Sequence, residues 1–484
     1  MSLLSYGNTW LKRAYDRAPV QVQNAVVTAY GWRHRRQVNG AHYRRYVHLL
    51  QQTQWYSSER LGAYQSDKLR AFIAHAYANS PYWREVFTAC GLTPSDVQTP
   101  EDLAQLPILE KETVRAQIDR LASAAYAGRR AQTVAVHTSG TTGKALHLRL
   151  TKECWQRDYA FRDQQRSWSG ALPGDPVVTF AGHPVVPSGL LRPPYCRYNR
   201  PERQLIFSSQ HLGPATAPDY AREVRRFRPT LIHGYPSTIY LFALYLQDAG
   251  IRDIRPRAVY THSETLLDHQ RAVIENAMGC KVYNWYGSSE MVGNIVECER
   301  GKLHVRQEHS VLELMTLDGR PARPGDVAEL IGTGFGNYAT PLIRYRLGDT
   351  VLVGDGECAC GRAGPIVKSV MGRIEDIVVT PDGRHVGRLD HVFKDALNVR
   401  EAQLRQDEVG SLTVRLVTRP RFGERDRNMI EGELRTRLGP AIRLDYEMVS
   451  AIPREANGKF RFVVSKVPIR MGETIIDQSQ EGRT

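Results

Sequence analysis

"HTSGTTGKALHLRL", residues 137–150, is the stretch on which the reading of this chain turns. Hydroxylated residues and glycines run up to Lys144, after which apolar and polar residues alternate. A helix-capping phosphate loop needs about four residues between its first glycine and the Gly-Lys pair, then Ser or Thr. Here only Thr141 and Thr142 separate Gly140 from Gly143, and Ala145 follows Lys144. The period-two alternation of "ALHLRL" predicts a strand, and "TVAVHT" (133–138) predicts another before it, so the loop joins two strands. Its backbone N–H groups, the hydroxyls of Thr138, Ser139, Thr141 and Thr142, and the Lys144 ammonium suit a triphosphate or its leaving pyrophosphate. An ordinary turn is the competing reading.

Upstream, residues 1 to about 125 read as mostly helical; in "SDKLRAFIAHAYANS" (66–80) apolar residues recur at three- and four-residue steps, with Ser66 as the expected N-cap. Downstream, the strand candidates "PVVTF", "TLIHGY", "RAVYTH" and "KVYNWYG" alternate with helical stretches such as "STIYLFALYLQDAG" (237–250), the rhythm of an α/β sheet. After "LIRYRLGDTVLV" (342–353) the strands shorten, and "GRIEDIVVTPDGRHVG" (372–387) sets a Pro-Asp-Gly turn between two of them. The expected architecture is a large α/β domain over 1–371 and a small α+β tail domain over 372–484.

The chain has 484 residues, more than one core usually supports, and its 42% hydrophobic and 24% charged residues exclude disordered and membrane-spanning classes. No apolar run reaches bilayer length and charges interrupt the first residues, so the expectation is a cytoplasmic protein without a signal peptide. Seven scattered cysteines favour thiols or a metal site over a disulfide framework. The net charge of +14 is largely arginine. The clusters "RHRR" (33–36) and "YRRY" (43–46) are open to contact with nucleic acid or an anionic membrane face; with no nucleic-acid-binding motif beside them, a solvated face is expected.

Four ordered stretches carry a resemblance: "TSGTTGK" (138–144), "NWYGSSE" (284–290), "YRLGD" (345–349) with "MGRIED" (371–376), and "PREANGKFRF" (453–462). On them the chain resembles the adenylate-forming superfamily, in particular its phenylacetate-CoA ligase-like branch with capsular polysaccharide biosynthesis relatives. The resemblance implies Tyr286 and Gly287 near the adenine, Ser289 at the acyl-adenylate phosphate and Glu290 on magnesium; relatives usually have Thr where Ser289 stands. It also implies Asp349 on the ribose hydroxyls, Arg373 on the nucleotide, Glu375 as the hinge of a mobile tail domain, and Lys459 as the catalytic cation. "THSETL" (261–266), with Ser263 and Glu264, resembles the adenine-side loop, and His233, Tyr235 and Pro236 of "HGYPS" resemble the acid pocket.

Cys298 and His304 of "CERGKLH" and Cys358 and Cys360 of "CACG" have the ligand count of a structural zinc, though C-x-C is tighter than the usual spacing; some relatives carry a zinc at a similar place. Reduced thiols on adjacent strands are the alternative. The implied chemistry uses ATP and magnesium to turn a small carboxylic acid into acyl-AMP, then passes the acyl group to coenzyme A, or to an amine or hydroxyl in polysaccharide or natural-product biosynthesis. No protein nucleophile is needed. A non-catalytic nucleotide- or surface-binding relative, and assembly as a homodimer, are the remaining open readings.

Overall fold

The computed structural model describes residues 9–137, 146–181, 185–187, 189–373, 378–382, 385–386, 389–393, 396, 398–454, 460–471 and 474–476. The chain opens on helices α1 (Thr9–Arg17), α2 (Val20–Val38), α3 (Ala41–Thr53), α4 (Ser58–Asn79) and α5 (Pro81–Ala89). The sequence places a cap at Ser66, but α4 begins earlier: the Ser57 hydroxyl accepts from the Arg60 N–H, and Ser66 lies inside the helix. Buried Leu61 and Gln65 extend the helix's inward face back beyond Leu69, which is why it does not start at the later serine.

Strands β1 (Thr133–His137) and β2 (His147–Thr151) flank the glycine loop and pair antiparallel, His137 opposite His147; residues 138–145 lie outside the described residues. Next come α6 (Lys152–Trp168), β3 (Val177–Phe180), β4 (Cys196–Asn199), β5 (Gln204–Phe207), α7 (Ala217–Phe227), β6 (Leu231–Gly234), α8 (Pro236–Asp248), β7 (Ala258–His262) and α9 (Asp268–Met278). They are followed by β8 (Lys281–Gly287), β9 (Asn294–Glu297), β10 (Leu303–Val305), β11 (Val311–Thr316), β12 (Val327–Thr333), β13 (Tyr345–Val353) and β14 (Ile366–Arg373). The tail holds β15 (Val378–Val379), β16 (His385–Val386), β17 (Val399–Gln406), β18 (Ser411–Thr418), α10 (Glu424–Leu438), β19 (Arg443–Met448) and β20 (Val463–Ser465). The fold class is mixed α/β with a helical N-terminal region, as the sequence predicts.

The chain forms two compact units. One comprises residues 1–32, 174–282 and 371–484. Its first sheet runs β7-β6-β3-β5-β4, parallel except for β4. Val178, Phe180, Ile232 and Val259 on one face pack against α7, α8 and α9 in a core where the Phe207 and Tyr220 ring centroids lie 4.8 Å apart. Each fully buried aromatic there contributes about 2–3 kcal/mol of transfer free energy. The opposite face carries Thr179, in register with His233, which is in turn beside Tyr260. The unit's second sheet, β19-β18-β17-β20, packs Leu404, Leu412, Val414 and Leu416 on Ile430 and Leu434 of α10.

The other unit comprises 33–173 and 283–370. Its sheet runs β11-β12-β13-β14-β10-β9-β8, antiparallel from β11 to β13 and from β14 to β8, with the apolar cluster of Ile295, Leu330, Val351 and Val367. Helix α6 lies on α3, where Phe161 and Ala160 meet Leu50.

Candidate active site

The sequence-predicted residues fall into a group in each unit. In the 33–173/283–370 unit, β8 delivers Tyr286 at its C-terminal end, and the Tyr286 hydroxyl donates to Asp349 Oδ2 at 2.7 Å, fixing that carboxylate on β13. Three residues beyond the strand, Glu290 Oε1 accepts from the Tyr345 hydroxyl at 3.3 Å. Tyr345 is buried while Glu290 and Asp349 are half-buried, so each carboxylate is held by a tyrosine hydroxyl, with the exposed Ser289 next to Glu290 in sequence. Hard oxygen donors of this kind are what magnesium takes, so Glu290 fits that ion. The structure thus joins Tyr286 to Asp349 and Glu290 to Tyr345, with Gly287 following Tyr286 in sequence.

In the 1–32/174–282/371–484 unit, Gly234 ends β6 with φ +155, and a Cβ there would lie 1.8 Å from the Phe180 carbonyl oxygen. Only glycine permits that approach, which lets the Tyr235 N–H bond the same oxygen at 2.8 Å and turns the chain into α8 at Pro236. His233 belongs to a polar chain that sequence reasoning does not find. Gln204 Nε2 donates to Thr179 Oγ1 (2.8 Å), Thr179 meets His233 Nε2 (2.9 Å), His233 Nδ1 lies 3.4 Å from His262 Nε2, and His262 Nδ1 lies 2.8 Å from Ser263 Oγ. Ser263 is exposed and held at φ +68.

Glu264 follows, with both of its carboxylate oxygens accepting backbone N–H groups. Oε2 accepts the Ser237 N–H at 3.1 Å, in the first turn of α8, and Oε1 accepts the Phe460 N–H at 2.6 Å. Burial raises its pKa, against the pull of those two N–H groups and the Arg454 charge. Phe460 is the residue after Lys459. The glycine loop Thr138–Lys144, Glu375 and Lys459 lie outside the described residues, as does the Arg373 side chain.

A third group lies in the 33–173/283–370 unit. The β9–β10 hairpin carries Cys298 and His304, and the connection from β13 to β14 carries Cys358 and Cys360; their ligand atoms all lie within 4.8 Å of one another. Cys298 Sγ is 3.6 Å from Cys358 Sγ, and Cys360 Sγ is 3.5 Å from His304 Nε2. A tetrahedron with metal–sulfur bonds of about 2.3 Å and metal–nitrogen bonds of about 2.0 Å has edges of roughly 3.8 and 3.5 Å, so the spacing fits a metal and not a disulfide. Cys298 accepts the Arg300 N–H and Cys360 the Arg362 N–H, bonds that stabilise thiolates. Burial, aided by Arg306 and Arg362, lowers His304 to about 4, leaving the neutral ring a ligand requires. His304 Nδ1 is buried without a hydrogen-bond partner.

The chain is similar to known proteins over most of its length. Residues 378–466 match the family described as the CapK C-terminal domain. Over 469 residues, 94% of this chain and 100% of the relative, the chain is 27% identical to Protein CapK of Staphylococcus aureus. It is 26% identical over 336 residues, 66% of this chain and 72% of the relative, to phenylacetate-coenzyme A ligase of Thermus thermophilus. Among solved structures, 2-hydroxyisobutyryl-CoA ligase in the postadenylation state, in complex with R3-HIB-AMP, shares the fold with a TM-score of 0.69 at 18% identity, covering 85% of this chain and 90% of that one.

Proposed function

The chain belongs to the adenylate-forming superfamily, and from that premise we propose that it activates a carboxylic acid with ATP to acyl-AMP and pyrophosphate, then passes the acyl group to a thiol such as coenzyme A. The observation that carries the reading is the pair of tyrosine-anchored carboxylates, Asp349 and Glu290. Asp349, an acceptor-only group whose orientation Tyr286 fixes, takes the ribose hydroxyls, and the Tyr286 ring lies along the adenine. Glu290, with the Ser289 hydroxyl beside it, holds magnesium, which supplies charge neutralisation to the phosphates when bound. An oxygen of the substrate carboxylate attacks the α-phosphorus, the bond to the β-phosphate oxygen breaks, and pyrophosphate leaves along Thr138–Lys144. Lys459 offsets the charge that builds at the α-phosphate. The thiol sulfur then attacks the acyl carbonyl and AMP departs, with the tail domain from residue 372 turning about Glu375 and Arg373 following the nucleotide. His233, Tyr235 and Pro236 line the acid pocket.

Asp349→Ala tests the carrying observation. Losing charge-assisted hydrogen bonds of about 1.5–3 kcal/mol should weaken ATP binding roughly 10- to 100-fold in titration calorimetry. Unchanged ATP affinity would remove Asp349 from the site.

Glu264 accepts the N–H of Phe460, next in sequence to Lys459, and is proposed to position that residue. A glutamine can accept only through its single amide oxygen, so in Glu264→Gln one of the two N–H groups loses its partner. Because the folded pKa is raised, the folded chain holds this proton more tightly than the unfolded one; stability therefore falls as pH rises from the ordinary carboxylate pKa through the raised one. At neutral pH Glu264→Gln should thus keep or raise Tm while lowering the adenylation kcat about tenfold. A drop in Tm with unchanged kcat contradicts this placement.

A second reading keeps the first half-reaction and transfers the acyl group to an amine or hydroxyl, as in polysaccharide or natural-product assembly. What favours it is that likeness to the phenylacetate-coenzyme A ligase covers two thirds of the chain, whereas likeness to CapK extends through residues 378–466. Cys298, His304, Cys358 and Cys360 are proposed to hold a structural zinc.

A further inference from the structure

Helix α2 carries apolar residues on both of its faces. Its inward face sets buried Val27 and Val38 among polar groups that are bonded: Gln23 donates to the Tyr15 carbonyl at 2.8 Å and accepts from Arg197 Nε at 2.5 Å, Asn24 accepts the Tyr198 N–H at 2.9 Å, and Thr28 donates to the Tyr198 carbonyl at 3.3 Å. Gly31 completes that face, since a Cβ there would lie 1.9 Å from Asn199 Oδ1. The outward face, at three- and four-residue steps, is Val22, Ala25, Val26, Ala29 and Trp32, all exposed, with Val22 49%, Val26 41% and Trp32 50% accessible. A surface helix ordinarily turns such residues inward and its amides outward. The hydrogen bonds to β4 and the packing of Val27 on Val185 and Ile206 fix the inward face, and so leave the second apolar stripe in water, where a stripe of this length marks an interaction site.

Charge selects the occupant. The outward stripe ends on exposed Arg33 and Arg36, α2 contains no carboxylate, and α1 adds exposed Trp10 (65% accessible), Arg13 and Arg17. An apolar face with tryptophan at its edge and arginines beside it is the composition of a helix lying in a lipid headgroup layer. A second copy of this chain would bring the same arginines and no carboxylate on α2 to meet them. We infer that α2, with α1, is a peripheral docking face for a bilayer surface rich in anionic phospholipid. No helix among the described residues is long and apolar enough to cross a membrane, so the contact is with the surface.

The test is co-sedimentation of the full chain with vesicles of phosphatidylcholine alone or with phosphatidylglycerol, at low and at raised salt. The chain should pellet with phosphatidylglycerol vesicles, and the binding should weaken as salt rises. Val26→Asp with Trp32→Asp should abolish pelleting. Arg33→Glu with Arg36→Glu should weaken it at least about thirtyfold, five- to sixfold per lost arginine, while wild-type melting temperature and ATP-dependent acid activation persist. These positions are exposed, so the variants fold. A wild-type chain that stays in the supernatant overturns the inference. So does equal binding to neutral vesicles, or light scattering in which Val26→Asp with Trp32→Asp turns dimers into monomers, which would make the occupant a second copy.

Discussion

Lys459→Ala should lower acid-dependent pyrophosphate release about 10²- to 10³-fold and leave ATP affinity within about threefold. The magnitude is that of removing one charged stabiliser aimed at a developing anion in a water-poor site. The asymmetry follows from the roles proposed: Asp349, Tyr286 and Glu290 are proposed to hold the nucleotide in the ground state, and Lys459 to act only as charge builds at the α-phosphate. Glu264 Oε1 takes the N–H of Phe460, the residue that follows Lys459 in sequence. The two variants should therefore rank, with Lys459→Ala severe and Glu264→Gln mild, both in kcat. Single-turnover acyl-AMP formation reads the first directly. An equal loss of ATP affinity and rate would place Lys459 in ground-state binding instead.

Removal of the proposed zinc should have the largest effect on stability. The purified chain should contain one zinc per molecule by elemental analysis, and Cys298→Ser or Cys358→Ser should lose it with a fall in Tm on the order of 10 °C, through loss of metal-linked folding free energy. The three thiols and His304 bring the β9–β10 hairpin to the β13–β14 connection, and β13 carries Asp349. Strong chelation should therefore melt the region that positions Asp349 before it affects the sheet of β3, β6 and β7. A metal-free chain whose melting is unmoved by either substitution would leave the cluster as reduced thiols.

How far these features were legible in the sequence depends on how local their causes are. β1 and β2, the strands β3, β6, β7 and β8, and the Pro-Asp-Gly hairpin of β15 and β16 are written in alternation and turn chemistry within a few residues. The four metal-site residues were recognisable by type, but their 3.5 and 3.6 Å edges depend on pairing β10 with β14. The Glu264–Phe460 contact bridges segments remote in sequence and leaves no local trace. Nor does the chain from Gln204 through Thr179, His233 and His262 to Ser263, which exists only because parallel register sets Thr179 beside His233. Ser66 was a plausible cap by residue type; the buried positions before it put the helix start at Ser58. Helix α2 shows the limit most plainly: apolar residues lie on both of its faces, and only its hydrogen bonds to Tyr198 and Arg197 decide which face points inward.

Acid activation by ATP is tested most directly by pyrophosphate release from ATP and magnesium across a panel of carboxylic acids, with and without coenzyme A, the products identified by mass. Release should require one class of acid and give a product containing either acyl-AMP or an acyl thioester. Release that ignores the acid, or none from any acid by a chain that binds ATP, would contradict acid activation.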